Sequence, residues 1–239
     1  MRATKLEFRL RLVIIALIIS LGFWSPWIEA LGIGRRIALL EWLALQISRL
    51  GLLRFTAASP AVLILGALIA AKAAVLRVWG TAYMGHGTVA HAQMQAGRLM
   101  ADGPYRFVRN PLYLGTWLMT AAMAFLMPPT GALFTMVLIT LFLLRLILAE
   151  EAFLAAQLGA PYQAYLQAVP RLYARLRGAL PSAGHKPHWL HAITAEIGPI
   201  GVFITLAFLS WNYDNVLMIK AVIVSFGLSL VVRAFLPRS

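Results

Sequence analysis

The chain is written in long apolar runs separated by short polar stretches, and most of the runs are longer than a soluble core helix requires. Six stand out, roughly Leu12–Leu31, Pro60–Trp79, Leu112–Met127, Gly131–Ala149, Ala195–Trp211 and Val216–Leu236. A helix that crosses the hydrocarbon core of a bilayer needs about 20 mostly apolar residues. The pattern therefore predicts an all-α integral membrane protein with about six transmembrane helices. Met127-Pro128-Pro129-Thr130-Gly131 interrupts the third and fourth runs with residues that stop helices, which predicts a tight antiparallel hairpin. Trp211-Asn212-Tyr213-Asp214-Asn215 predicts a second short turn, with its aromatics at interface depth.

Composition agrees with this reading. Of 239 residues, 61% are hydrophobic and 12% charged, against roughly 45–50% and about 25% in a soluble domain. Mean hydropathy is +0.81. The formal charge of +13 could indicate a nucleic-acid partner, but its placement argues otherwise. Basic residues gather at the ends of apolar runs, as in Arg2-Lys5-Arg9-Arg11 and Arg171-Arg175-Arg177, where cytoplasmic loops meet anionic headgroups. No basic stripe interleaved with aromatics appears, so nucleic acid is not an expected partner. There is no cysteine, which removes disulfides, thiolate metal sites and cysteine nucleophiles. The first run follows a basic start, yet it is too long for a signal-peptide core and lacks a clear small-x-small cleavage site. It reads as a retained span.

Topology follows from parity. If the N-terminus and the basic stretches 77–110 and 171–186 share the cytoplasmic side, the chain crosses an even number of times between them. Residues 12–31 and 60–79 already give two crossings, so 35–54, which carries Glu41, Gln46, Ser48 and Arg49 among its apolar residues, should lie in the interface. Three units result: 1–59, the first span with an interfacial helix; 60–191, the core; and 192–239, a C-terminal two-helix hairpin. The polar stretches Gly80–Pro111 and Glu150–His191 flank the 112–149 hairpin and meet at one mouth of the bundle. Residues 150–168 read as an amphipathic helix, with Phe153, Leu154, Leu158, Tyr162, Tyr165 and Leu166 at helical spacing.

Two clusters at that mouth carry chemistry. From Gly103 the chain reads Gly-Pro-Tyr-Arg-Phe-Val-Arg-Asn-Pro-Leu-Tyr-Leu-Gly, so a stiff loop with two arginines and two tyrosines enters a membrane helix. After the hairpin come Glu150-Glu151, then Gly159, Tyr162, Tyr165 and Val169-Pro170-Arg171, with Arg145 one turn before the carboxylates. Adjacent carboxylates at the end of an apolar helix are costly unless they are paired. This two-part pattern resembles the isoprenylcysteine carboxyl methyltransferases and their phospholipid N-methyltransferase relatives. Those typically show Gly-x-Tyr-x-x-x-Arg-His-Pro-x-Tyr-x-Gly, then a helical hairpin and an acidic pair. The match runs through Gly103, Tyr105, Arg109, Pro111, Tyr113, Gly115, Glu150, Glu151, Gly159, Tyr162 and Tyr165, within about residues 60–175. Asn110 stands where the family usually has histidine and Leu158 where phenylalanine is common. Asparagine can hold a ligand but moves no proton near neutral pH.

The resemblance implies methyl transfer from S-adenosylmethionine to an amphiphilic, lipid-like acceptor such as a prenylcysteine carboxylate; parity puts the site at the cytoplasmic face, and the short loops suggest a prokaryotic inner membrane. It implies cofactor contacts at Gly97, Arg98, Leu99, Met100, Tyr105, Asn110, Pro111, Leu112, Tyr113 and Glu150. A carboxylate acceptor is already ionised and needs only a cation to orient it, from Arg109, Arg145 or Arg171. An amine or thiol would need a base, for which Glu151, His86 and His91 are candidates. Arg109, Arg145 and Glu151 are thus the catalytic expectations, and Arg109 could instead simply pair with Glu150 or Glu151. No metal is expected, and His185, His188 and His191 read as solvated loop residues. Two other readings remain: a membrane reductase of the sterol-reductase type, using NADPH and sharing a similar loop, and a non-catalytic membrane protein.

Overall fold

A computed structural model describes residues 2–24, 37–84, 102–174, 178, 180–182 and 184–235. Every regular element among them is helical. In chain order these are α1 (Lys5–Arg9), α2 (Arg11–Phe23), α3 (Leu39–Arg49), α4 (Phe55–Tyr83), a 3-10 turn at Gly103–Arg106, α5 (Pro111–Ala124), α6 (Pro129–Leu158), α7 (Ala160–Ala168), α8 (Trp189–Ala195), α9 (Ile197–Ile204), a π-helical segment at Thr205–Leu209, a 3-10 turn at Ser210–Asn212 and α10 (Asn215–Phe235).

Among the described residues, three helices are long and apolar enough to cross a membrane: α4, α6 and the Asn215–Val232 part of α10. The pair Trp189–Ala195 and Ile197–Phe208, bent by 67°, makes a fourth if it is one broken span. The remaining predicted spans are shorter. α5 has 14 residues, which rise about 21 Å against a hydrocarbon core of about 30 Å. α2 has 13, and the rest of the first predicted span, from residue 25 to 31, lies outside the described residues.

α5 and α6 form the expected hairpin. The amides of Phe125, Leu126 and Met127 bond the carbonyls of Ala122, Met123 and Ala124, winding the chain tightly before Pro128. Pro129 then starts α6 at a position where a missing N–H costs nothing. α3 crosses this turn, with the Leu39 and Leu40 amides donating to the carbonyls of Met127 and Phe125 at 2.7 and 3.0 Å. It is 11 residues long, too short to cross the hydrocarbon core as one helix. At the opposite end of the bundle the Ala3 amide donates to the Arg145 carbonyl at 3.1 Å. The N-terminal segment and Glu150 therefore share one end, and α3 lies at the other.

The expected separate amphipathic helix over 150–168 is instead two pieces. α6 runs on past Glu151 to Leu158 and breaks at Gly159, whose φ of +60° a residue with a Cβ adopts only under strain. Pro161 then sits in the first turn of α7. The core lies along α4, where Ala58, Val62, Ala70 and Ala73 pack with Met119, Met123 and Leu126 of the hairpin and with Leu206 and Met218 from the C-terminal helices. A second cluster joins Ile18 of α2 to Ile139, Phe142 and Leu146 of α6. Leu68, Val75, Leu133, Leu141 and Leu230 point outward, as expected of faces that meet lipid.

Candidate functional site

The site is built where the loop before α5 meets the end of α6. Pro104 follows Gly103 and tightens the chain into a 3-10 turn, and Pro111 opens α5. The segment after α7 clamps this loop from outside. The Arg109 amide donates to the Pro170 carbonyl at 2.9 Å, the Tyr165 hydroxyl to the Tyr105 carbonyl at 2.9 Å, and Arg106 Nε to the Leu180 carbonyl at 2.7 Å. Tyr162 and Tyr165 are buried with Leu154 and Val169 and serve the packing of this clamp.

Consecutive residues on a helix point about 100° apart, and the two carboxylates use that difference. Glu151 turns inward and is 6% exposed. It takes Asn110 Nδ2 at 3.2 Å, Arg171 Nη2 at 2.8 Å with Nε at 3.1 Å, and Arg109 Nη1 at 3.5 Å. The hydrogen bond to Glu151 raises the Arg171 pKa further, so that guanidinium stays charged. Glu150 turns the other way and accepts the Tyr113 hydroxyl at 2.7 Å. Its second oxygen takes no hydrogen bond from any described residue.

Two polar atoms are buried beside these carboxylates with no hydrogen-bond partner among the described residues: the Tyr105 hydroxyl and Arg109 Nε. Burial, followed by the charge of Glu150, pushes the Tyr105 hydroxyl far above the ordinary tyrosine range, so it remains a donor. A buried donor without a partner costs about 1–3 kcal/mol unless a ligand completes it.

Arg145 is placed elsewhere. Its Nη2 lies 2.9 Å from both oxygens of Glu7, and no ion pair joins it to Glu150 or Glu151. The structure thus brings Arg109, Asn110, Tyr105, Tyr113, Glu150 and Glu151 together with Pro111 and Leu112, and sets Arg145 against the N-terminal helix. Gly97, Arg98, Leu99, Met100, His86 and His91 lie outside the described residues.

Two clusters were not anticipated. Glu196, at the break between α8 and α9, is 1% exposed and paired with Arg77 of α4. A carboxylate at the head of an apolar run was the available signal. The other cluster corrects the expectation that His185 is a solvated loop residue. Its Nδ1 lies 2.6 Å from Asp102 Oδ2 and its amide donates to the same oxygen at 3.0 Å, while the Ser182 hydroxyl donates to Oδ1 at 2.6 Å. Asp102 is buried, so its carboxylate draws these donors in and ties Ser182 and His185 to the loop.

On the flank of the bundle, an apolar groove of about 400 Å³ is lined by Ala74, Val75, Val78, Trp79, Trp189 and Ile200. It is separate from the polar cluster, but the Trp79 ring that walls it packs on Phe107 of the loop, with centroids 5.8 Å apart.

No curated protein and no solved structure matches this chain. Residues 61–160, which carry Arg77, the loop, the α5–α6 hairpin and both carboxylates, match the model of the phospholipid methyltransferase family, a family of membrane methyltransferases that also contains the isoprenylcysteine carboxyl methyltransferases.

Proposed function

We propose that this protein transfers a methyl group from S-adenosylmethionine to an amphiphilic, lipid-like acceptor, with a prenylcysteine-type carboxylate as one member of that class. The observation that carries the reading is the incomplete polar cradle at the mouth of the α5–α6 hairpin. There one Glu150 oxygen and the buried Tyr105 hydroxyl have no hydrogen-bond partner among the described residues. This donor set fits the cofactor. Glu150 would accept from its ammonium group, Tyr105 would donate to its polar oxygens, and the Tyr105 and Tyr113 rings would flank its adenine, with Asn110, Pro111 and Leu112 forming the edge.

When bound, the cofactor supplies an electrophilic methyl group. The protein's contribution is positional, since in-line displacement at carbon depends mostly on orientation. Glu151 spends its lone pairs on Arg171, Arg109 and Asn110, which makes it an orienting anion rather than a base. Through it Arg109 is held at the pocket, where its guanidinium can steer an anionic acceptor. Arg145 acts at one remove, by docking the N-terminal helix over the same end. The groove beside Trp79 offers an apolar path next to the loop, and the cytoplasm is the side on which we place the mouth.

The test is direct. Purified protein in lipid vesicles is incubated with methyl-labelled S-adenosylmethionine and a bacterial lipid extract. Label appearing in the organic phase, and lost in Glu150→Gln, supports the reading. Label that stays in water at every protein concentration overturns it.

A further inference from the structure

The C-terminal helices lie outside the matched stretch 61–160, yet one of their residues reaches the site through a buried chain of polar contacts. Glu196 Oε2 accepts from Arg77 Nε at 2.6 Å, and Oε1 accepts from Arg77 Nη2 at 2.9 Å and from the Thr81 hydroxyl at 2.7 Å. Both carboxylate oxygens are thereby engaged. The third guanidinium nitrogen, Arg77 Nη1, turns to the first two turns of α5, where it donates to the Thr116 hydroxyl at 2.7 Å and the Leu112 carbonyl at 3.3 Å. Leu112 immediately precedes Tyr113, the partner of Glu150.

Two details show that the bundle is shaped around this contact. A methyl group added at Gly115 would overlap the Arg77 side chain, so α5 carries its glycine where that arginine passes. Glu196 occupies the break between two helices bent by 67°, and its own amide still bonds the carbonyls of Ala192 and Ile193. A buried charge pair in an apolar bundle is weak evidence for stability, because hydrophobic residues of similar volume would serve as well. Its geometry points to a different use. The fork of a guanidinium can fix two partners at defined angles, which an ammonium cannot.

We propose that Glu196 and Arg77 are positioning residues for the cofactor cradle: Glu196 orients the guanidinium, and the guanidinium fixes the turn of α5 that presents Tyr113 to Glu150. The C-terminal bent helix is on this account part of the site rather than an appended anchor. The inference rests on the methyltransferase reading.

The experiment titrates S-adenosylhomocysteine by calorimetry into wild type, Arg77→Lys and Thr116→Val, with thermal melting of each. Arg77→Lys keeps the charge opposite Glu196 but cannot reach Glu196, Leu112 and Thr116 together. Thr116→Val removes one contact on α5 and leaves the ion pair intact, so it remains informative if the lysine variant fails to fold. We expect affinity to fall at least tenfold in Arg77→Lys and three- to tenfold in Thr116→Val, with the melting temperature of Thr116→Val near that of wild type. Affinities within twofold of wild type in whichever variants fold, whatever their melting temperatures, would show a structural pair and overturn the proposal. Wild type that binds no S-adenosylhomocysteine would instead overturn the methyltransferase reading beneath it.

Discussion

Asn110 donates its side-chain amide to Glu151 Oε1 at 3.2 Å and to the Arg171 carbonyl at 3.3 Å. One residue thus joins the loop before α5 to the end of α6 and to the segment beyond α7. At this position the side chain serves as a donor to both.

Asn110→Asp replaces that donor with a second carboxylate facing Glu151. Loss of a hydrogen bond to a charged group costs about 1.5–3 kcal/mol, and like-charge repulsion adds to it. The melting temperature should fall by several degrees and S-adenosylhomocysteine binding should weaken at least tenfold. Asn110→His retains an N–H, so its binding should stay within a few fold of wild type. Its pH–rate profile should show no new step between pH 5 and 8. A new step there would mean that position 110 moves a proton.

Gly115 and Gly227 make a paired test of packing. An added methyl group at Gly115 meets Arg77, whereas at Gly227 it meets nothing within 4 Å. Gly115→Ala should lose about 1–3 kcal/mol from overpacking, and Gly227→Ala should gain up to about 1 kcal/mol from helix propensity. Melting in detergent measures both. An unperturbed Gly115→Ala would mean that Arg77 moves aside freely.

The N-terminal helix should release in acid. The Glu7 pKa lies below its ordinary value, held down first by the Thr4 amide and then by Arg145. A carboxyl whose pKa falls on folding contributes stability above its unfolded value, near 4.5, and loses it as pH drops through the lower folded value. Spin labels at Lys5 should therefore be immobile at neutral pH and become mobile only in acid. Arg145→Leu should mobilise the label at neutral pH while inserting normally. A label equally mobile at both pH values in wild type would contradict the clasp.

Much of this architecture was legible in the chain. Proline and glycine at 127–131 marked the hairpin because they stop helices by covalent geometry, and the Gly103–Gly115 motif marked the loop because its prolines fix the backbone locally. What escaped was set by distant partners. Arg145 stands one turn from Glu150 in sequence, but its partner is Glu7, 138 residues away. Glu196 and Arg77 are 119 residues apart, and no local pattern links them. The break at Gly159 was obscured because helical spacing continues on both sides of it. The length of α5 was misjudged because apolar residues 125–127 continue its composition while turning its backbone.

On the proposed reading, Glu150, Tyr105 and Tyr113 hold S-adenosylmethionine. Calorimetric titration of S-adenosylhomocysteine and of NADPH into the purified protein tests it most directly, with Glu150→Gln alongside. Removing the charge that faces the ligand's ammonium group removes a hydrogen bond worth about 1.5–3 kcal/mol, or roughly ten- to a hundredfold in affinity. Saturable binding of S-adenosylhomocysteine to wild type, a loss of that size in Glu150→Gln and no heat from NADPH are expected. Binding of NADPH alone, or S-adenosylhomocysteine affinity unchanged by Glu150→Gln, would contradict it.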